Sequence, residues 1–366
     1  MPLLRSFFNI LVLAGTIHAV RDIPIVFRDA AMNFNQSLAN VTVLTTGGTI
    51  AESGSTSVQT TNYGTPNATF QDLVNAVPEL ISVANLVGYA IANTDSQSIN
   101  STVLLRLNQR VTSELASDLT QGVVITHGTD TMEETAFFLD LTTQSAKTVV
   151  VVGSMRPASA LSADGPLNLF QAVSLAVNPK AVGRGTLVTL NDRITSAFYV
   201  SKNHANVPDA FYAREQGHLG LFLNQAANFY YEPAQPVGKP FFDIAPLNLT
   251  TLPMVDILYA HIESNPGLIQ ASVNLGAKGI VFAGTGAGDL PEHVLDAARD
   301  VWNSTKIPMV FASRAMNGFV PYPDSDPWRI PSAHLTPQKA RIMLQLGLAT
   351  GLNGTAIHSL FDDLQI

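Results

Sequence analysis

Cysteine is absent from this 366-residue sequence, and charged residues make up only 13% of it. Without cysteine the chain can hold no disulfide, no thiol nucleophile and no thiolate metal site. Acidic residues outnumber basic ones by 28 to 20, and the net charge of −8 argues against nucleic acid or an anionic membrane surface as a partner. Hydrophobic residues, at 46%, suffice for a large core, so a disordered chain is excluded.

The sequence also lacks an apolar run long enough to span a membrane. Residues 7–17 form an apolar run, shorter than the roughly 20 residues that a spanning helix needs. Because Arg5 precedes this run and the small residue Ala19 follows it, residues 1–19 fit a signal peptide better than a membrane anchor. We therefore predict no membrane span in the mature chain and a protein secreted to an extracellular, cell-wall or periplasm-like space.

Seven Asn-x-Ser/Thr triplets support the same route, since such triplets are glycosylation acceptors in secreted proteins. One of them, at Asn40, abuts a predicted buried strand and is expected to be inaccessible. The six remaining glycosylation candidates are Asn35, Asn67, Asn100, Asn248, Asn303 and Asn353.

Motifs of several other enzyme classes are missing as well. Neither Gly-x-Ser-x-Gly nor His-Glu-x-x-His occurs, and the eight histidines do not show the spacing of metal ligands. These absences argue against a serine hydrolase elbow and against a zinc protease site.

What is present is an alternation of short apolar segments with longer amphipathic ones, which is typical of an α/β fold with a mostly parallel sheet. Strands are predicted at residues 41–45, 123–126, 148–152, 186–190, 255–260, 279–283 and 308–313. Helices are predicted at about 131–141, 165–176, 291–303 and 337–351. Thr131 with Glu134 predicts a capping box, and Thr336 with Pro337 predicts another helix start.

A proline-rich stretch divides the chain. Residues 232–253 show little periodicity and contain Pro233, Pro236, Pro240, Pro246 and Pro253. Such a composition indicates an extended linker. We predict a larger N-terminal domain at 20–235, with a mostly parallel sheet flanked by helices. A linker at 236–253 and a smaller α/β domain at 254–366 complete the prediction.

Two polar segments directly follow predicted strands. Residues 45–51 read TTGGTIA and residues 126–135 read THGTDTMEET. Ligands of open α/β sheets bind at the carboxyl ends of the strands, and two glycines before Thr49 would let the backbone approach a small ligand. Alone, Gly-Gly-Thr also fits a plain tight turn. A phosphate cradle is a further alternative, although the P-loop lysine and the Rossmann glycine pattern are missing.

Together these segments resemble the bacterial-type (type II) L-asparaginase family, also called the asparaginase/glutaminase family. Matches occur in order from about residue 40 to the C-terminus, at 46–51, 75–78, 96–97, 124–141, 153–157, 162–166, 191–192 and 337–341. The resemblance implies hydrolysis of L-asparagine to L-aspartate and ammonia without a cofactor. It also implies a homotetramer, a dimer of dimers in which a neighbour's C-terminal domain completes each site.

The resemblance implies that Thr49 is the nucleophile and that Tyr63, on a loop that closes over substrate, hydrogen-bonds to its hydroxyl. A hydroxyl is a weak nucleophile unless a base or polarising group assists it. A second group is implied at Thr129, Asp130 and Lys202, where the lysine helps deprotonate the threonine or a water. Without the resemblance, Tyr63 would be an ordinary loop aromatic and Lys202 a surface lysine. Which threonine attacks first stays open.

Substrate binding is implied at further positions. Ser96 and Gln97 match residues that bind the α-carboxylate of asparagine, and Asp130 matches the one that pairs with its α-ammonium. Backbone amides near Thr129 and Ser154 would surround the developing oxyanion. His127, inside the second motif, is interpreted as a structural residue rather than a base.

Three features depart from the family pattern. Asp95 stands where glycine is usual. Asp289 stands where relatives carry asparagine or serine that reaches the neighbouring subunit's site, and a carboxylate there would repel an α-carboxylate. The glutamate that relatives place before the final helix has no clear counterpart, with Asp324 and Asp326 as candidates.

Two alternative functions remain at this point. A pocket discriminates poorly against one extra methylene, so a glutaminase-asparaginase of broader specificity is one. An amino-acid-binding protein without turnover is the other, and tight asparagine binding without ammonia release would identify it.

Overall fold

The structure is a computed structural model that describes residues 35–61, 63–64, 68–323 and 326–364. The predicted signal peptide, the sequon at Asn67 and the candidate Asp324 lie outside the described residues. Within the described part of the chain no helix is both long and apolar enough to cross a membrane.

The described residues of the N-terminal two thirds of the chain contain ten strands. In chain order they are β1 (Asn40–Thr45), β2 (Asn85–Ala90), β3 (Gly122–Thr126), β4 (Thr148–Val152), β5 (Thr186–Leu190), β6 (Arg193–Ser196), β7 (Ser201–Lys202), β8 (Phe211–Tyr212), β9 (Gly220–Leu223) and β10 (Ala226–Phe229). Eight of them form one sheet in the order β10-β9-β6-β5-β4-β3-β1-β2. The pairs from β2 to β5 are parallel and those from β5 to β10 antiparallel, while β7 and β8 pair separately.

The C-terminal part carries a smaller sheet, entirely parallel. Its strands, in their order across the sheet, are β11 (Val255–Tyr259), β12 (Gly279–Gly284), β13 (Met309–Ser313) and β14 (Arg329–Pro331). Every residue of β3, β4, β5 and β12 is buried, as expected for strands covered on both faces.

In the part of the chain that the structure describes, eight α-helices flank the two sheets. They are α1 (Phe70–Asn75), α2 (Ser101–Ala116), α3 (Met132–Thr142), α4 (Gly165–Ala176), α5 (Gly267–Asn274), α6 (Glu292–Thr305), α7 (Pro337–Ala349) and α8 (Gly354–Asp362). Short 3₁₀ turns lie at Thr49–Ala51, Pro78–Ser82, Ser96–Ser98, Pro179–Ala181 and Ala245–Leu247. The two-domain α/β fold class is thus confirmed, and the predicted strands and helices agree with the structure to within about two residues.

One hydrophobic cluster joins the two sheets. It combines Ile125 and Val151 from the large sheet with Val281 from the small one, and Leu344 of α7 lies between them. Because α7 contacts both α3 and the strands of the small sheet, the C-terminal unit is packed directly onto the N-terminal unit. Two further clusters cover the outer face of each sheet.

The proline-rich stretch is packed rather than fully extended. Phe242 and Ile244 are buried in the cluster shared by both sheets, and the amide of Phe242 donates to the Leu141 carbonyl. Lys239 forms an ion pair with the buried Asp140 at 2.9 Å. Residues between the two units therefore contribute to the core, while the exact domain boundaries stay a prediction.

The capping box predicted at Thr131 and Glu134 is wrong. Thr131 does occupy the N-cap position of α3, but its side chain makes no cap hydrogen bond. Its hydroxyl instead donates to the Ser96 carbonyl at 2.8 Å. A tertiary partner has replaced the local one, which ties the start of α3 to the turn after β2. At α7 the predicted Thr336–Pro337 start is found, again without a side-chain cap bond.

Candidate active site

The candidate site lies where the strand order of the large sheet reverses. From β1 the chain moves to β2 on one side, and β3 then lies on the other side of β1. Loops that leave such a point in opposite directions open a crevice at the carboxyl ends of the strands. A cavity of about 310 Å³ is found there, a volume suited to a small ligand. Of the predicted site residues, those in its wall are Thr49, Tyr63, Ser96, Gln97, Thr129, Asp130 and Lys202.

The loops after β1 and β3 touch through their backbones. The Thr46 amide and hydroxyl both bond to the Thr126 carbonyl, at 3.1 and 2.9 Å. Gly48 has φ +81°, and a Cβ at this position would lie 2.2 Å from Cα of Gly128. Only glycine fits such an approach. Thr49 begins a 3₁₀ turn immediately after it, which places its side chain in the cavity wall.

Lys202 also lines the cavity and is bound to Thr129 and Asp130 of the second motif. Its ammonium donates to the Thr129 hydroxyl at 2.9 Å and pairs with Asp130 at 2.6 Å. The Lys202 amide donates to Glu133 at 2.8 Å, and the side chain of Gln338 donates to the other oxygen of Glu133 at 2.6 Å. Gln338, on helix α7 of the C-terminal unit, thus supports the backbone of Lys202 through Glu133.

The turn after β2 supplies the third wall. Ser96 is buried, and its hydroxyl accepts a 3.2 Å hydrogen bond from the amide of Asp130. Gln97 is exposed and faces the cavity. The residues expected to bind the α-carboxylate and the α-ammonium therefore lie next to each other in this wall.

Tyr63 and Ser154 occupy different depths. The Tyr63 hydroxyl donates to the Met155 carbonyl at 3.3 Å, so that bond is not directed at Thr49 in this arrangement. Burial raises the pKa of Tyr63, and Arg156 opposes the effect. Ser154 is fully buried, and its hydroxyl donates to the Arg156 carbonyl. It does not belong to the cavity wall that the described residues form.

The acidic residues of the C-terminal unit that are predicted to act at a neighbouring subunit's site lie away from this chain's own cavity. Asp289 is 73% exposed in its side chain and lies 3.9 Å from Arg329. Asp326 lies 3.5 Å from Arg299. Neither belongs to the cavity wall that the described residues form.

Sequence reasoning missed Glu52. It is 8% exposed, lines the cavity, and lies within hydrogen-bonding reach of the Thr49 hydroxyl and the Asp95 carboxyl. Burial, followed by repulsion from Asp95, raises the pKa of Glu52 to about 7. The available signal was its position, because Glu52 is the sole charged residue from Thr45 to Ser57 and comes directly after the Gly-Gly-Thr turn.

His127 is fully buried. Its Nδ1 contacts the Gly128 carbonyl at 2.7 Å and its Nε2 contacts the Thr135 hydroxyl at 2.8 Å. Burial lowers its pKa to about 4, which keeps the ring neutral near pH 7. These contacts agree with a structural role. Among the described residues no three metal-ligating side chains of histidine or carboxylate type come together.

Comparisons with known proteins cover most of the described chain. The family model described as asparaginase, N-terminal, matches residues 40–235, and the glutaminase/asparaginase C-terminal domain matches 254–361. L-asparaginase 2-3 of Saccharomyces cerevisiae is 49% identical, with 89% of this chain and 91% of the relative covered. Probable L-asparaginase 1 of Schizosaccharomyces pombe is 43% identical over 90% of each chain.

A solved structure shows the same fold. The crystal structure of a probable cytoplasmic L-asparaginase from Campylobacter jejuni superposes with a TM-score of 0.84 at 39% identity. The match covers 89% of this chain and 99% of the other.

The prediction of a secreted protein is wrong. The solved relative is named as cytoplasmic, and neither yeast relative is named as secreted. A short apolar run after a basic residue is a compositional signal, and composition alone does not establish export. The sequons predicted glycosylation only for a secreted protein, so the prediction of glycosylation loses its support as well. Those within the described residues are exposed at Asn35, Asn100, Asn248, Asn303 and Asn353.

Proposed function

This chain belongs to the asparaginase family and hydrolyses L-asparagine to L-aspartate and ammonia, and we propose that Thr49 is the nucleophile of the reaction. The observation that carries the proposal is the meeting of Thr49 and Thr129 in one cavity with Lys202 adjoining. Hydrolysis of an unactivated amide needs a nucleophile, a group that takes its proton and donors for the oxyanion. The first two are present at this cavity.

Substrate orientation follows from the charges around the two threonines. Asp130 offers a half-exposed carboxylate for the α-ammonium of asparagine, and Ser96 and Gln97 offer polar groups for its α-carboxylate. Fixing both ends would place the side-chain amide against Thr49, which converts a bimolecular attack into a positioned one. The contact of Lys202 with Thr129 supports a second role for that threonine, in activating it or a water.

The test is ammonia release from asparagine by purified protein. We expect Thr49→Ala and Thr129→Ala each to lower the rate by at least about 1000-fold, because each removes a reacting or proton-relaying hydroxyl. Circular dichroism should stay unchanged, since both alcohols lie at a cavity wall. Full activity in either variant would refute the assignment. Parallel assays with glutamine compare specificity constants, and equal values would identify a glutaminase-asparaginase of broader specificity.

We further propose that the active form is a homotetramer, arranged as a dimer of dimers. Members of the asparaginase family are typically oligomeric. The support within this chain is Asp289, which is exposed at a strand-end loop of the C-terminal sheet and outside the chain's own cavity. A neighbour's Asp289 would then complete each site. Sedimentation of fully active protein as a monomer would overturn this assembly.

A further inference from the structure

Glu52 lies one 3₁₀ turn after Thr49. Its amide donates to the Thr49 carbonyl at 3.1 Å and closes the turn Thr49–Ala51. The turn directs both side chains to the same wall of the cavity. The Glu52 carboxyl thereby comes within hydrogen-bonding reach of the Thr49 hydroxyl, the group that must lose a proton in order to attack.

The other polar groups near Thr49 are directed elsewhere. The Tyr63 hydroxyl donates to the Met155 carbonyl. The Lys202 ammonium is bound to Thr129 and Asp130. Within the cavity wall that the described residues form, Glu52 is thus the carboxylate placed to accept the proton of Thr49.

Asp95 helps to give the Glu52 carboxyl a pKa that suits a general base. The two carboxyls are within hydrogen-bonding reach of each other, and burial together with the charge of Asp95 raises the pKa of Glu52 to about 7, with a smaller contribution from Asp130. A general base is most effective when its pKa is near the working pH. The other charged groups at or next to the cavity are Lys202, which pairs with Asp130, and Arg156 and Asp164, which lie near Tyr63.

We propose that Glu52 is a catalytic general base for Thr49, an inference that rests on the proposed role of Thr49. The Glu52 carboxylate takes the hydroxyl proton as Oγ of Thr49 bonds to the amide carbon, and the carbonyl electron pair moves onto oxygen. When that pair returns, the C–N bond breaks, and Glu52 gives the proton to the departing nitrogen, which leaves as ammonia.

Water then completes the cycle. It attacks the acyl ester on Thr49 and gives one proton to Glu52, and collapse of the second tetrahedral species breaks the ester bond. Glu52 returns that proton to Oγ of Thr49. The second proton of the water stays on the new side-chain carboxyl and is lost to solvent or to ammonia as aspartate is released. Each half-reaction therefore starts and ends with an unprotonated Glu52, and Asp95 acts as a positioning residue that sets its ionisation.

The experiment measures kcat and KM for asparagine from about pH 5 to about pH 9 in the full-length protein. In the parent protein we expect kcat to rise through about pH 7, as Glu52 loses its proton. Glu52→Gln keeps nearly the same side-chain shape. In this variant we expect kcat to fall at least about 100-fold and KM to stay within about threefold, and we expect the rise of kcat through about pH 7, the acid limb, to disappear. In Asp95→Asn, where a repelling carboxylate is gone, we expect that limb to move to lower pH by on the order of one unit.

Each outcome decides a different point. Glu52→Gln with an unchanged kcat and acid limb would overturn the proposal, and so would a raised KM with an intact kcat, which would assign Glu52 to substrate binding. Should Glu52→Gln fail to fold, the acid limb of the kcat profile of Asp95→Asn decides alone. A limb that moves to lower pH supports the proposal, and a limb that stays in place overturns it. Thr49→Ala is assayed in parallel. If it is inactive while Glu52→Gln is fully active, the role of Glu52 fails and that of Thr49 stands, whereas an active Thr49→Ala refutes both.

Discussion

The large mixed sheet and the small parallel sheet both carry glycine-rich loops at strand ends, yet the cavities that these loops line differ greatly in size. Among the described residues, the cavity at the large sheet has a volume of about 310 Å³ and that at the loops after β11 and β12 only about 30 Å³. In the large sheet the strand order reverses at β1, so the loops after β1 and β3 leave in opposite directions and face each other across a crevice. In the small sheet the order β11-β12-β13-β14 follows the chain without reversal. Successive loops there leave in the same direction.

The contacts of the glycines show the consequence. Gly48 meets Gly128, which belongs to the loop of another strand. Gly284 meets Gly288 of its own loop, which closes on itself through two 2.8 Å backbone bonds between Thr285 and Asp289. Glycine content alone therefore does not create a site in a single chain. A site requires two strand-end loops that the topology brings face to face.

The largest effect is expected when one added methyl group forces apart the loops after β1 and β3. Gly48→Ala places a Cβ 2.2 Å from Gly128 at a left-handed φ. We expect stability to fall by about 3 kcal/mol and activity by at least about 100-fold, because the loops must move apart. Urea unfolding and ammonia release measure the two effects.

Gly217→Ala is the matched control for Gly48→Ala. Gly217 has nearly the same φ, +79°, but nothing lies within 4 Å of an added Cβ. We expect it to cost only about 1 kcal/mol, the penalty of the left-handed backbone itself. Equal losses of activity and stability in the two variants would contradict the view that close approach, rather than backbone conformation, makes Gly48 necessary.

A smaller effect is expected at Gln338, a residue of α7 that bonds to Glu133 near the cavity of the large sheet. Gln338→Ala removes the α7 donor to Glu133, whose other oxygen accepts from the Lys202 amide. We expect kcat to fall about tenfold with little change in KM, because the backbone that positions Lys202 loses its support. Stability should fall by about 1 kcal/mol.

Gln270→Ala serves as its control, since Gln270 also lies on a helix of the C-terminal unit and bonds only to exposed Asn274 among the described contacts. Its kcat should stay at the parent value. If Gln338→Ala also keeps that value, α7 contributes packing alone, and the two sheets act as more independent units than the contacts of Glu133 indicate.

Much of the fold could be predicted because buried parallel strands occur in the sequence as unbroken apolar runs. Residues 122–126 and 148–152 are examples, fully buried in the structure. The antiparallel edge was not predicted, because strands such as β10 (Ala226–Phe229) are short, partly exposed and without an apolar run. Thr131 does not cap α3 through its side chain, and its hydroxyl instead donates to the distant Ser96 carbonyl.

The site shows the same division. Thr49, Thr129 and Lys202 were found through motif resemblance, which identifies residue types but not their contacts. Glu52 carries no motif, and its importance depends on the turn that directs it to Thr49 and on the neighbouring Asp95. A pKa near neutrality arises from burial and from a second carboxyl, and both are properties of the folded molecule.

The sequence by itself determined the α/β class, the strand-end location of the polar loops and the exclusion of thiol chemistry, because these follow from local periodicity and composition. Only the tertiary structure decided which loops meet. The register that pairs Thr45 with Thr126 brings together segments far apart in the chain, and the reversal of strand order turns that pairing into a cavity. Such pairing depends on the packing of the whole sheet, which no local stretch of residues encodes.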